Sequence, residues 1–168
     1  AVVWSTKRIP SLWRKAITIL VHKRGDVSKP ENFRPITLEP VSLKIFTSFL
    51  RNRIYSFLIE NQYAESYIQK GFIPGMSGTF EHIASMSYII NYARLKQRSV
   101  VITLLDLKNA FGEVNHDLID CILEYHHVPK EVASIIRDLY SAFGIAIATN
   151  SFITGFIPLR KGVLQGEC

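Results

Sequence analysis

The run VVITLL, Val100 to Leu105, is apolar at every position but Thr103 and is followed at once by a carboxylate, Asp106. Short, rich in β-branched residues and apolar on both sides, it reads as a strand buried on both faces. A charge at the end of such a strand needs compensation, because an uncompensated buried charge costs on the order of several kcal/mol. Two readings satisfy that need. Asp106 caps the turn after the strand, its oxygens accepting backbone N–H bonds near Asn109. Alternatively it is a metal ligand: a hard carboxylate at a strand end suits Mg²⁺, usually with one or two further carboxylates and substrate phosphates.

The rest of the chain fits an α+β protein. RKAITILVHK, Arg14 to Lys23, alternates as a strand running into the turn RGD, and a basic loop, KRGDVSKPENFRP, follows. From Pro40 to Asn61, Leu43, Phe46, Leu50, Ile54 and Phe57 recur at threes and fours and define one face of a helix. QKGFIPGMSG is a punctuated loop, after which Thr79 reads as the N-cap, with Glu81 in the first turn, of a helix reaching toward Gln97. HDLIDCILEYH and KEVASIIRDLYSAF carry helical spacing, with Pro129 where the second begins. GIAIATNSFITGFIPLRKGV divides into two β-rich runs about Thr149, Asn150 and Ser151, as a hairpin would. The expected order is strand, helix, helix, strand, two helices, hairpin.

With 168 residues, 48% of them hydrophobic and 20% charged, there is material for one sizeable core, and a folded rather than a disordered chain is expected. The formal charge of +6 favours a polyanionic partner, a weak signal by itself. Cys121 and Cys168 are far apart and without metal-type spacing, so a reducing, intracellular setting (nucleus or cytoplasm) is expected rather than a disulfide framework or zinc site. No apolar run is long enough to span a membrane and no signal-peptide core precedes the first strand, so a soluble protein is expected. Both ends read as cut from a longer chain.

The specific signal lies in four motifs in order. LLDLKNAFGEVNH resembles the first catalytic motif of reverse transcriptases of the kind carried by non-LTR retrotransposons and group II introns. ITILVHKRGD and NFRPITLEPVSLKIFTSFLRNRI resemble that family's fingers motifs, QKGFIPGMSGTFEHI its Gln-x-Gly-Phe segment, and RKGVLQGEC its Leu-Gln-Gly motif. The resemblance implies a partial right-hand polymerase fold: fingers-like residues 1–98, then residues 99–168 as part of a palm, with an antiparallel palm sheet, packed helices and no thumb.

It further implies an RNA-directed DNA polymerase using an RNA template, a DNA primer, dNTP and two Mg²⁺ ions, one activating the primer 3′-oxygen and both stabilising displacement of pyrophosphate. Asp106 matches the first metal-binding aspartate, with the Leu107 carbonyl as a further ligand. Phe111 matches the bulky residue beneath the incoming sugar that rejects a 2′-OH, with core packing as the alternative. Lys23 and Arg34 match the basic residues on the dNTP phosphates, a task that suits both side chains. Gln165 and Gly166 match residues touching the nucleotide sugar and template base, and Arg160 and Lys161 precede them, facing nucleic-acid phosphate. Lys44, Arg51 and Arg53 read as a solvated helix face, with template contact as the alternative.

Some residues carry no role on this reading. His116, His126 and His127 show no ligand pattern, and Glu113 is not counted as a metal ligand. Gly112 stands where many relatives have Asp, which would loosen the turn, and Glu167 where Asp is commoner. The family's aromatic-x-Asp-Asp hairpin does not occur within these 168 residues. With one of three metal carboxylates, and with the C-terminal palm and thumb normally supplied in cis, the chain is expected to be inactive alone. The competing readings are a non-catalytic nucleic-acid-binding remnant of a retroelement and a basic globular fragment with no function of its own.

Overall fold

A computed structural model describes residues 2–63, 68–71, 73 and 75–164. It opens with a short helix α1 (Val2–Thr6) and a 3₁₀ turn at Ser11–Arg14, which leads into strand β1 (Lys15–His22). Alternation along β1 buries Ala16 and Thr18 on one face and leaves Ile17 and Ile19 partly exposed on the other. Strand β2 (Phe33–Leu38) returns antiparallel along β1, placing Thr18 opposite Thr37 and Val21 opposite Arg34. The basic loop expected from the sequence ends at Pro35, so the first half of β2, residues 33–35, is strand where loop is expected. Pro35 masks the strand signal there, and is tolerated because β2 is an edge strand.

Strand β3 (Gly144–Ala148) lies on the other edge of β1, and the two-residue β4 (Ile157–Pro158) pairs with β3, giving the order β2-β1-β3-β4. The expected hairpin is present: β3 and β4 are antiparallel, and Thr149 N–H donates to Phe152 O at 2.9 Å across its turn. The sheet as a whole is mixed, because β1, from the fingers-like region outside the expected antiparallel palm sheet, runs parallel to β3, Lys15 beside Gly144. A parallel neighbour needs a crossover, and helices lie between these two strands in the chain.

Helix α2 (Val41–Glu60) buries Leu43 and Leu50, with Phe46, Ile54 and Phe57 packed against the same core. Helix α4 (His116–Tyr125) starts at Asn115, whose side chain accepts the Asp117 N–H at 3.1 Å, and α5 (Lys130–Ser141) starts after Pro129. Val132, Ile135 and Leu139 of α5 complete that core, in which Leu43 and Ile135 are fully enclosed. Helix α3 (Thr79–Leu95) is preceded by Gly78 rather than capped by Thr79. The Glu81 carboxylate accepts the Ser77 N–H at 3.0 Å and so serves the helix start.

The chain divides into two compact units, Ala1–Phe57 with Asn109–Cys168, and Leu58–Lys108. The first holds the sheet and the core. In the second, Val100–Leu105 is not a buried strand: its backbone is irregular, and Val101 and Leu105 are 92% and 93% exposed. Among the described residues nothing pairs with this run, and an apolar β sequence without a ladder partner has nothing to fix it as a strand.

Candidate nucleotide site

The face of the sheet carrying Thr18 and Thr37 forms the floor of a cavity of about 390 Å³. The two hydroxyls are buried and share a hydrogen bond of 3.0 Å, so each satisfies the other. Ile145 of β3 and Pro35 of β2 extend the floor. The walls are two segments far apart in sequence, the Asn109–Glu113 turn and the loop from Pro158 to Leu164.

These walls are bonded to each other. Val163 N–H donates to Phe111 O at 2.8 Å, and Gly162 N–H to Val114 O at 2.6 Å. Gly162 has φ +89°, and a Cβ there would stand 2.9 Å from the carbonyl oxygen of Gly112, so glycine is required by both backbone conformation and space. Gly112 is therefore not merely a loosened turn: it is the backbone on which the second wall rests. Leu164, buried in the core, anchors the far end of the loop.

At the rim, the Lys161 ammonium is 2.6 Å from a Glu113 oxygen, and the Asn109 amide reaches the other oxygen at 3.3 Å. The hydrogen bond from Lys161, then its charge, and then Asn109 hold the Glu113 carboxyl below its ordinary range. Phe111 lines the cavity and is 40% exposed. The enclosure presents an apolar wall, a hydroxyl-bearing floor and a cationic edge, which suits a ligand with a flat or ring-shaped apolar part and a negative charge.

The structure thus brings Phe111, Arg160 and Lys161 to one cavity. Lys23 and Arg34 do not line it. Lys23 follows β1, its N–H donating to Asn32 O at 2.8 Å, and Arg34 alternates onto the sheet face opposite Pro35 and Thr37. Gln165 and Gly166 lie outside the described residues. Asp106 and Leu107 belong to the other unit, on irregular exposed backbone. Among the described residues no group of three or more His, Cys, Asp or Glu side chains is placed to hold a metal ion. Asp106 and the Leu107 carbonyl have the hard oxygen donors that Mg²⁺ takes but not their number, so these residues alone do not fit the ion.

The family model for "Reverse transcriptase (RNA-dependent DNA polymerase)" matches residues 21–167, which include both walls of the cavity. The chain belongs to the reverse transcriptase family. Its relatives place it with the non-LTR retrotransposon type. The "Retrovirus-related Pol polyprotein from type-1 retrotransposable element R2" of Nasonia vitripennis is 28% identical over 159 residues, 94% of this chain and 15% of the relative. The "type-2 retrotransposable element R2DM" polyprotein of Drosophila melanogaster is 25% identical, over 95% of this chain and 14% of the relative. The "Transposon TX1 uncharacterized 149 kDa protein" of Xenopus laevis is 24% identical, over 94% and 12%. This reverse transcriptase chain spans less than a sixth of the length of those three relatives. No helix among its described residues is long and apolar enough to cross a membrane.

Sequence reasoning overlooked Glu113, Thr18, Thr37 and Gly162 as parts of the site. The Glu113–Lys161 pair joins residues 48 apart, and nothing in the local pattern around either announces the other. Gly162 carried the better signal, as a glycine just before the Leu-Gln-Gly motif.

Proposed function

We propose that this chain is the nucleotide-selecting part of an RNA-directed DNA polymerase, and that the cavity over Thr18 and Thr37 receives the sugar and base of an incoming dNTP. The observation that carries this is the meeting of the Phe111 turn with the Arg160–Leu164 loop around one enclosure. In this reading Phe111 stands under the sugar and excludes a 2′-OH. Arg160 and Lys161 meet nucleic-acid phosphate, Lys23 and Arg34 the triphosphate, and Gln165 and Gly166 the nucleotide and template.

Asp106 and the Leu107 carbonyl contribute to a Mg²⁺ site for which these residues are short of carboxylates. The part proposed for this chain is therefore binding and selection, with RNA template and DNA primer as partners of the whole polymerase and no nucleotide addition by the 168 residues alone. Titration of the purified chain with dATP and with ATP tests it. Tighter binding of dATP, with the preference narrowed by Phe111→Ala, is expected; equal affinities in the unaltered chain would refute the selecting role. Primer extension on an RNA template by this chain, lost in Asp106→Asn, would refute the expected inactivity.

A further inference from the structure

Building on that reading of the cavity, we propose that His116 is a positioning residue for sugar selection, holding the Arg160–Gly162 loop against the Phe111 turn. His116 Nε2 lies 2.9 Å from Gly162 O. A carbonyl oxygen only accepts, so Nε2 carries the proton and donates it. The ring packs on Tyr140 with centroids 4.6 Å apart, and its backbone is fixed as the first residue of α4, just after the Asn115 cap.

The Gly162 residue is consequently held on both sides, its N–H by Val114 O and its C=O by His116. The next residue, Val163, bonds the carbonyl of Phe111 itself. A steric gate discriminates only if it does not yield, so the placement of the Phe111 ring depends on the rigidity of the loop to which its backbone is tied. Two side chains tie the segments: Glu113 meets Lys161 at the exposed rim, whereas His116 bonds the backbone of Gly162, next to the residue that holds Phe111, and its substitution removes that bond while leaving the rim pair in place. The loop remains anchored by buried Leu164, so the variants are expected to fold.

His116→Phe keeps a ring against Tyr140 and deletes the donor; His116→Gln restores an N–H donor near the position of Nε2. Amide hydrogen exchange of the full 168-residue chain is the first readout. Exchange at Gly162 and Val163 is expected to rise about tenfold in His116→Phe and to recover in His116→Gln, the size appropriate to one hydrogen bond. Unchanged exchange in a folded His116→Phe protein would overturn the proposal. The second readout is the ratio of dATP to ATP affinity, expected to fall severalfold in His116→Phe and recover in His116→Gln. An unaltered ratio in His116→Phe would also overturn it. Should the unaltered chain bind neither nucleotide, the nucleotide reading fails, and exchange alone decides whether His116 holds the loop.

Discussion

The guanidinium of Arg14 is ion-paired with the carboxylate of Asp138, 124 residues away in sequence, and each side chain is more than four-fifths buried, at 14% and 18% exposure. The same carboxylate accepts the Ile9 N–H at 2.7 Å, while Arg14 donates to Ile9 O at 3.0 and 3.1 Å. One closed set of bonds therefore ties the segment before β1 to α5. Breaking a buried pair from one side strands the other charge, so Asp138→Ala is expected to cost about 3 kcal/mol. Urea unfolding reads this as a lowered midpoint, and a loss below about 0.5 kcal/mol would mean that solvent screens the pair as at an open surface.

Glu39 presents the opposite situation. It is buried between β2 and α2, neither carboxylate oxygen has a hydrogen-bond partner among the described residues, and burial raises its pKa above 4.5, opposed by the charge of Lys44. A raised folded pKa means that protonation favours the folded state. The stability associated with the neutral acid is complete below pH 4.5 and is lost as pH rises through the folded value. Glu39→Gln, unable to ionise, is therefore expected to be more stable than the unaltered chain at pH 7 by about 1 kcal/mol, with little difference at pH 4. Unfolding curves at the two pH values check the sign, and an equal effect at both would rule out ionisation as its origin.

Gly162→Ala places a Cβ against the Gly112 carbonyl at a left-handed φ, and is expected to destabilise the chain by about 2 kcal/mol. Gly155→Ala, at a position with open space for a Cβ, is the control and should be nearly neutral. Comparable losses in the two variants would place the cost in general loop stiffness and not in the contact between the walls.

The buried hydroxyl pair on the cavity floor calls for a double-mutant cycle. Thr18→Val alone leaves the Thr37 hydroxyl buried without its partner, and should cost about 1–2 kcal/mol, whereas Thr18→Val with Thr37→Val should recover most of that loss. Strictly additive losses would indicate that the hydroxyls do not depend on each other.

At the rim, Glu113→Gln should release the Lys161 ammonium toward an anionic ligand. Inorganic pyrophosphate is expected to bind about threefold more tightly at low salt, with the gain gone near 0.5 M NaCl because exposed charges are screened. Acidification acts in the same direction, since the ion pair is present above the ordinary carboxyl range and fails as pH falls through the lowered Glu113 value. Unchanged pyrophosphate affinity would mean that Lys161 does not face the cavity.

Local periodicity carried the helices well. Leu43, Phe46, Leu50, Ile54 and Phe57 do share one buried side of α2, and Pro129 does precede α5. What periodicity lacked was information about partners. β2 was hidden by its proline, and VVITLL has the composition of a central strand yet no described neighbour to pair with it. The site divides in the same way. Phe111, Arg160 and Lys161 were legible through motif resemblance, whereas the bonds from Gly162, Glu113 and His116 that join their two segments exist only once a fold brings residues nearly fifty positions apart together.

The parallel pairing of β1 with β3 also sets an order of events during synthesis. Lys15 waits for Gly144, which emerges roughly 130 residues later, an interval of about 6–26 s at ordinary translation speeds. Through that time the β1–β2 hairpin is complete on one edge and bare on the other, and the far wall of the cavity does not yet exist. A nascent chain of this protein therefore exposes a templating strand edge before it has the cavity over Thr18 and Thr37, and the closing of that edge and the making of the cavity belong to the same late step.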